Sequence, residues 1–270
     1  MSNQQVAEQV VVDFENEQPK ATAIEFENLR MDYLDEDDEA LCALLDINFE
    51  ASEGEFVSIV GVSGCGKTTL LKLTAGLLYP TGGTIRIRNQ QISGPTEDVG
   101  FVFQSAVLLR WRSILNNILL QVEVRGLDRV EYTRRAMSLL QMVGLQGFEN
   151  RYPYQLSGGM QQRAAICRAL IHDPSLLLMD EPFGALDALT REQMHLELQN
   201  IWQKSGKTIL FVTHNISEAV FLSDRVIVLS SRPGLVREIV LIDLPRPRTI
   251  EMDADPGFGK LVNHIRGLLG

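Results

Sequence analysis

Hydrophobic positions along the chain fall into short runs separated by polar turns. Strands are predicted over 24–29 and 41–49 from closely recurring apolar residues. Phe56-Val57-Ser58-Ile59-Val60 reads as a short buried strand, followed by a glycine-rich turn and a helix over 67–78. Pro80-Thr81-Gly82-Gly83 marks a turn, 84–88 alternates like a strand, and 99–103 reads as a further core strand. From about 113 to 150 the pattern is helical. Met160, Ala164, Cys167 and Ile171 share one helical face, which predicts an amphipathic helix over 157–171. The remainder predicts strands over 176–179, 208–212, 225–229 and 236–241, with a Pro233-Gly234 turn before the last. Helices are predicted over 188–204, 215–222 and 261–269. Strands alternating with helices imply an α/β fold with a mostly parallel sheet covered on both faces. The helical block at about 105–165 interrupts that alternation and is expected to be an inserted subdomain. Residues 1–20 lack periodicity and are expected to be a loose arm.

Composition narrows the function classes. A chain of 270 residues, 45% hydrophobic and 22% charged, is ordinary globular material. It needs no disulfide or metal staple to bury a core. Lys and Arg number 25 against 35 Asp and Glu, a formal charge of −10. That balance disfavours nucleic acid as the main partner. The 3 cysteines, Cys42, Cys65 and Cys167, form no CxxC pair, which fits a reducing compartment. No apolar run reaches the roughly 18 residues needed to span a bilayer. The acidic, polar first twenty residues do not read as a signal peptide. Asp35-Glu36-Asp37-Asp38-Glu39 reads as a solvated turn.

The chemistry begins at the turn after 56–60. Gly61, Val62, Ser63, Gly64, Cys65, Gly66, Lys67 and Thr68 fit G-x-x-x-x-G-K-[ST], between a predicted strand and a predicted helix. Glycines let backbone N–H groups approach phosphate oxygens without a Cβ clash, and a helix N-terminus favours an anion. Lys67 is expected to reach the β- and γ-phosphates of a nucleotide, and the Thr68 hydroxyl to bind Mg²⁺, with Thr69 beside it in the ATP site. Leu176-Leu177-Leu178-Met179-Asp180-Glu181 is an apolar strand ending in two acids. Asp180 fits a Mg²⁺ carboxylate, and Glu181, one residue further out, an orienter or base for the attacking water. No Asn-Lys-x-Asp string occurs, which disfavours a guanine nucleotide.

Leu156-Ser157-Gly158-Gly159-Met160-Gln161-Gln162-Arg163 resembles the signature motif of ATP-binding-cassette ATPases. The resemblance covers roughly residues 22–245. It implies a P-loop NTPase core with an antiparallel β subdomain and an inserted helical subdomain, the ATPase domain being 21–248 and a helical tail 249–270. It further implies that Gln104 is the Q-loop glutamine, a ligand of Mg²⁺ or water. Ala185-Leu186-Asp187 would be the D-loop, His214 the switch histidine at the γ-phosphate, and Tyr33 the aromatic stacked on adenine. Ser157, Gly158, Gly159 and Gln161 would contact the ATP of a second cassette. One P-loop and one signature per chain then require a second copy or partner cassette, paired head to tail.

Other strings resemble nitrate/sulfonate/taurine-type importers: Phe101-Val102-Phe103-Gln104, Gly147-Phe148-Glu149-Asn150-Arg151-Tyr152-Pro153, Ser231-Arg232-Pro233-Gly234 and Asp243-Leu244-Pro245-Arg246-Pro247-Arg248. This implies a peripheral subunit on the cytoplasmic face of the inner membrane. Its expected partners are a separate permease and, through it, an extracytoplasmic solute-binding protein for a small anionic solute. An exporter or lipid transporter, a non-transport cassette and another P-loop NTPase remain as alternatives. Arg110-Trp111-Arg112 departs from the family pattern of Pro before that Trp, and both arginines are expected to meet an acidic residue of the permease. Cys65, inside the P-loop beside Lys67, is expected to be a reactive thiol protected by bound nucleotide.

Overall fold

The computed structural model describes residues 21–34, 40–184 and 186–270. The expected arm 1–20, the acidic run 35–39 and Ala185 lie outside the described residues. The first elements are β1 (Thr22–Leu34), β2 (Ala40–Ser52), β3 (Phe56–Val60), α1 (Lys67–Thr74), β4 (Gly82–Ile87), β5 (Gln90–Gln91) and β6 (Val99–Val102). Helices α2 (Ile114–Ile118), α3 (Leu120–Val124), α4 (Arg129–Met142) and α5 (Gly158–Leu170) follow. The chain then alternates: β7 (Leu176–Asp180), α6 (Ala188–Ser205), β8 (Thr208–Thr213), α7 (Ile216–Leu222), β9 (Arg225–Leu229), β10 (Val236–Leu241) and α8 (Pro256–Leu269).

Two sheets result. One has the order β10-β9-β3-β8-β7-β6, parallel except for the edge strand β10; the other is antiparallel, β2-β1-β4-β5. Strands β3, β7 and β8 are buried at every position, as expected for parallel strands covered on both faces. On one face, α1 packs between the two sheets through Leu70, Leu71 and Leu73, against Ile24, Ile59 and Val212. The other face carries α2–α8 in a second core that includes Leu140, Ile166, Phe211 and Phe258.

The first two strands run longer than expected, and two helix boundaries differ by several residues from the pattern-based expectation. Helix α1 stops at Thr74 rather than 78, with Ala75 as its cap. Gly76 then turns with φ +69, in a place where a Cβ would lie 2.0 Å from the Gly94 carbonyl oxygen. Backbone contact, not side-chain periodicity, ends the helix. Helix α8 begins at Pro256 rather than 261: Asp255 caps it by accepting from the N–H groups of Gly257 and Phe258. A capping Asp followed by Pro at the first helical position is a start signal that apolar spacing alone misses. Its Phe258, Val262 and Ile265 are buried, so the end of the chain is part of the core.

The string 243–248 straps that end down. Arg246 lies 4.1 Å over the Trp202 ring and pairs with Asp224 at 2.9 Å. Arg248 is 1% exposed. Its guanidinium donates to the carbonyls of Val220, Phe221 and Ser223 at the end of α7, and to those of Ile242 and Leu244. A buried cation at a helix C-terminus satisfies carbonyls that have no partner within the helix. Gln199 of α6 exchanges two hydrogen bonds with the Arg248 backbone.

Replacing Arg248 by Met leaves those carbonyls buried and unpaired. Urea unfolding is expected to show a loss of about 3 kcal/mol. His172 gives a pH signature. Burial, with Arg125 nearby, pushes its pKa from 6.5 down to about 4. Between those values the unfolded chain holds a proton that the native chain does not, so this contribution to stability is present above pH 6.5 and lost as pH falls toward 4. A His172→Gln variant, which keeps a donor for the Val99 carbonyl, is expected to show a shallower fall in unfolding free energy across that window.

Candidate functional site

The phosphate loop leaves the end of β3 and enters α1. Gly64 and Gly66 adopt φ +78 and +99, which favour glycine. At Gly66 a Cβ would also meet Leu44 Cδ2 at 2.6 Å and the Ala43 carbonyl oxygen at 3.0 Å, so β2 closes one side of the loop. Lys67 is buried, and its Nζ donates to the carbonyls of Gly61 at 2.9 Å and Val62 at 3.0 Å. Gly61 and Val62 thus hold the lysine through their carbonyls, while Ser63, Gly64, Gly66, Lys67, Thr68 and Thr69 line an open cleft of about 440 Å³. Tyr33 lines the same cleft from β1, its hydroxyl 3.1 Å from Thr69 Oγ1.

The parallel register brings the remaining groups to that cleft. Val60 pairs with Thr213, Asp180 with Val212, and Val102 with Met179. The carboxyl ends of β3, β6, β7 and β8 therefore open at one level, where ligand crevices of α/β sheets form. Asp180 accepts from Thr68 Oγ1 at 3.1 Å. Glu181 Oε2 lies 2.9 Å from His214 Nδ1 and 3.4 Å from Gln104 Nε2. Glu181 holds φ +42, a left-handed conformation that costs about 1–3 kcal/mol and clusters at functional positions. Burial raises the Asp180 pKa; the Thr68 hydroxyl opposes this and the Glu181 charge adds to it. Two neighbouring carboxylates with that imbalance fit a divalent cation. Among the described residues no cluster of three or more His, Cys, Asp or Glu could hold a metal by itself. A Mg²⁺ here would share Thr68, Asp180 and Gln104 with phosphate oxygens of the substrate.

The signature residues do not line this cleft. Ser157 caps α5, its Oγ accepting from the Met160 N–H at 3.3 Å, and the space around Gly158 is open. Gly159 is buried where a Cβ would lie 3.0 Å from Thr190 Cγ2 and 3.4 Å from Leu186 Cδ2, so the signature packs against the segment that carries Asp187. Asp187 caps α6 by accepting from the Thr190 N–H and hydroxyl, contacts that hold its carboxyl below the usual range. Gln161 is turned inward: its Nε2 donates to the carbonyls of Pro153 at 3.0 Å and Leu156 at 3.1 Å. Its donor group is spent within the chain, and the oxygen that remains cannot donate to phosphate. Gln161 therefore braces the signature turn.

Two further expectations change. The Cys65 thiol is 1% exposed and 3.9 Å from Lys67 Nζ, so it lacks the access that a freely reactive thiol requires. Arg112 pairs with Glu123 at 2.6 Å, and Glu123 also takes Arg129, so its charge is already met inside the chain. Arg110 makes no ion pair among the described residues and stands exposed beside Trp111. Pattern reasoning missed Gln162, whose Nε2 donates to the Phe103 carbonyl at 3.0 Å and so ties α5 to the residue before Gln104. It also assigned no site role to Arg232, which lines the cleft. Both lie in strings that the sequence marks, but nothing local assigns them these contacts, which join segments far apart in sequence.

The ABC transporter family model matches residues 44–184. An uncharacterized ABC transporter ATP-binding protein of Methanocaldococcus jannaschii is 54% identical over 206 residues, 76% of this chain and 77% of that one. The taurine import ATP-binding protein of Pelagibacter ubique is 46% identical over 212 residues, covering 78% and 80%. The nitrate import ATP-binding protein of Synechocystis is 45% identical over 236 residues, covering 85% and 89%. Among solved structures, a dimeric ATP-binding cassette in a post-hydrolysis state bound to ADP and Pi superposes with a TM-score of 0.73 at 34% identity, covering 82% of this chain and all of that one. With a phosphate loop, a strand-end acid pair and a signature helix on one α/β frame, the chain belongs to the ABC transporter family, as an ATP-binding cassette ATPase.

Proposed function

We propose that this chain is the ATP-hydrolysing subunit of an importer for a small anionic solute, acting as a pair of cassettes beneath a membrane permease. The observation that carries the pairing is the separation of the signature residues from the phosphate cleft. One copy then offers two half-sites, and a head-to-tail second copy completes both. The import reading is supported by relatives that are named taurine and nitrate import ATP-binding proteins. No described helix is long and apolar enough to cross a membrane; the passage for the solute is assigned in this reading to a separate permease. The ATPase unit spans 21–248, with residues 105–165 as its helical subdomain and 249–270 as its tail.

In this reading Tyr33 stacks on adenine, and the loop 61–69 wraps the phosphates with Lys67 at the β- and γ-groups. Thr68, Asp180 and Gln104 would hold Mg²⁺, which would supply neutralisation of phosphate charge. Ser157, Gly158 and Gly159 of a second copy close over the γ-phosphate. Glu181 orients water and takes its proton as the water oxygen bonds to the γ-phosphorus and the bond from that phosphorus to the β,γ-bridging oxygen breaks, releasing ADP and phosphate, while His214 holds Glu181 and the γ-phosphate in place. ATP binds the closed pair more tightly than the open one, and that difference in affinity is the work available to a permease. A second cleft of about 480 Å³, lined by Phe101, Phe103, Val107, Leu109 and Leu120, supports docking of a permease helix, with Arg110 and the 75%-exposed Trp111 beside it. A solute-binding protein on the far side of the membrane, with this subunit on the cytoplasmic face, completes the assembly.

Glu181→Gln keeps a partner for His214 but removes the base. It is expected to lower steady-state ATPase rate at least about 100-fold and to make the ATP-bound dimer persist in gel filtration. Hydrolysis at the original rate would remove Glu181 from its role. Affinity purification of the tagged chain from detergent-solubilised membranes is expected to bring down a multi-span permease. An active ATPase with only soluble partners would overturn the import reading.

A further inference from the structure

The cleft wall has two basic residues of the lysine or arginine type, Lys67 and Arg232. Lys67 belongs to the phosphate loop. Arg232 comes from the turn between β9 and β10, more than 160 residues later in the chain, within a string that the sequence marked without giving it work. That turn is fastened to both halves of the cleft. The Gly234 N–H donates to the Ala43 carbonyl at 2.9 Å, and the Leu45 N–H donates to the Gly234 carbonyl at 3.0 Å. A Cβ at Gly234 would lie 2.2 Å from the Cys65 carbonyl oxygen, so the turn rests directly on the phosphate loop. Ser230 Oγ closes the turn, donating to the Pro233 carbonyl at 2.9 Å and accepting from the Leu235 N–H at 3.0 Å.

The Arg232 guanidinium lies over the loop at Gly64. Its Nη2 makes one long contact, 3.4 Å to the Gly64 carbonyl, and it has no ion pair among the described residues. A Cβ on Gly64 would come within 3.4 Å of that nitrogen, so the glycine leaves room for the approach. A guanidinium carries five N–H donors and no acceptor, in a fork that matches phosphate oxygens. Among the described residues only one Arg232 nitrogen has a partner, and Arg232 lines the cleft, whereas the Lys67 ammonium is already held by two carbonyls.

We propose that Arg232 is a further nucleotide-binding residue, a second cation that recognises the polyphosphate of ATP. This rests on the reading of the cleft as the ATP site. Arg232 is exposed and supports no core, so its replacement leaves the fold intact.

The test uses the purified full chain without divalent cation, at a concentration where gel filtration shows a monomer. Fluorescent ATP is titrated directly, and adenosine is measured by displacement. Arg232→Gln is expected to weaken ATP binding about tenfold, as for loss of a charge-assisted hydrogen bond. Adenosine affinity should stay the same, and Arg232→Lys should recover part of the loss. An unchanged ATP affinity in Arg232→Gln, beside normal binding by the unsubstituted chain, overturns the proposal alone. So does an equal loss for adenosine, which would mean that the turn merely shapes the cleft. Normal ATP binding with failed pairing would assign Arg232 to contact with a second copy. If the unsubstituted chain binds no ATP, the reading of the cleft falls, and the role of Arg232 with it.

Discussion

Slip-free parallel pairing of β3, β8, β7 and β6 fixes where the reactive groups of this chain stand. Because Val60, Thr213, Asp180 and Val102 end their strands at nearly one level, the residues just beyond them meet above the sheet. Gly61 starts the phosphate loop there, Glu181 leaves the sheet, His214 follows β8, and Gln104 lies two residues past β6. A slip of one residue would turn every side chain of the slipped strand to the opposite face and separate Thr68 from Asp180 and Glu181 from His214. The buried interiors of β3, β7 and β8, apolar except for Ser58, hold that register, since each position is buried on one face or the other.

Around this frame, buried amides link segments that hydrophobic packing alone would leave free to slide. Asn117 donates to the carbonyls of Leu109, Arg112 and Ser113 and accepts from the Leu109 N–H, which pins the loop after Gln104. Gln162 reaches from α5 to the Phe103 carbonyl. Gly159 lets Leu186 and Thr190 close on the signature turn. The route from the signature surface to the cleft is thus a short series of directional contacts.

The end of the chain serves the same site from behind. Helix α7 starts just after His214, with Asn215 as its cap, and ends at the buried Arg248. The strap that delivers Arg248 is itself held by Arg246 on Trp202 and Asp224, and Asp224 also accepts from the Phe56 N–H at the start of β3. The physical content of the 243–248 string is therefore structural. The 231–234 string is different, because its arginine faces the cleft and its glycine sets the turn against the phosphate loop.

The sequence by itself determined most of the frame. Apolar runs marked the core strands, helical spacing marked α5, and short motifs with strict spacing named the phosphate loop, the strand-end acids and the signature. Such features are local, so neighbouring residues suffice to reveal them. Local pattern misplaced the end of α1 and the start of α8, because a backbone contact at Gly94 and a cap at Asp255 set them. It also left Arg232 and Gln162 without work, turned Gln161 toward a phosphate it cannot reach as a donor, and exposed a Cys65 thiol that is buried. Those outcomes depend on which distant segments share a surface. Tertiary structure decided them, because a side chain's donors, charge and access belong to its neighbours in space and not to its neighbours in sequence.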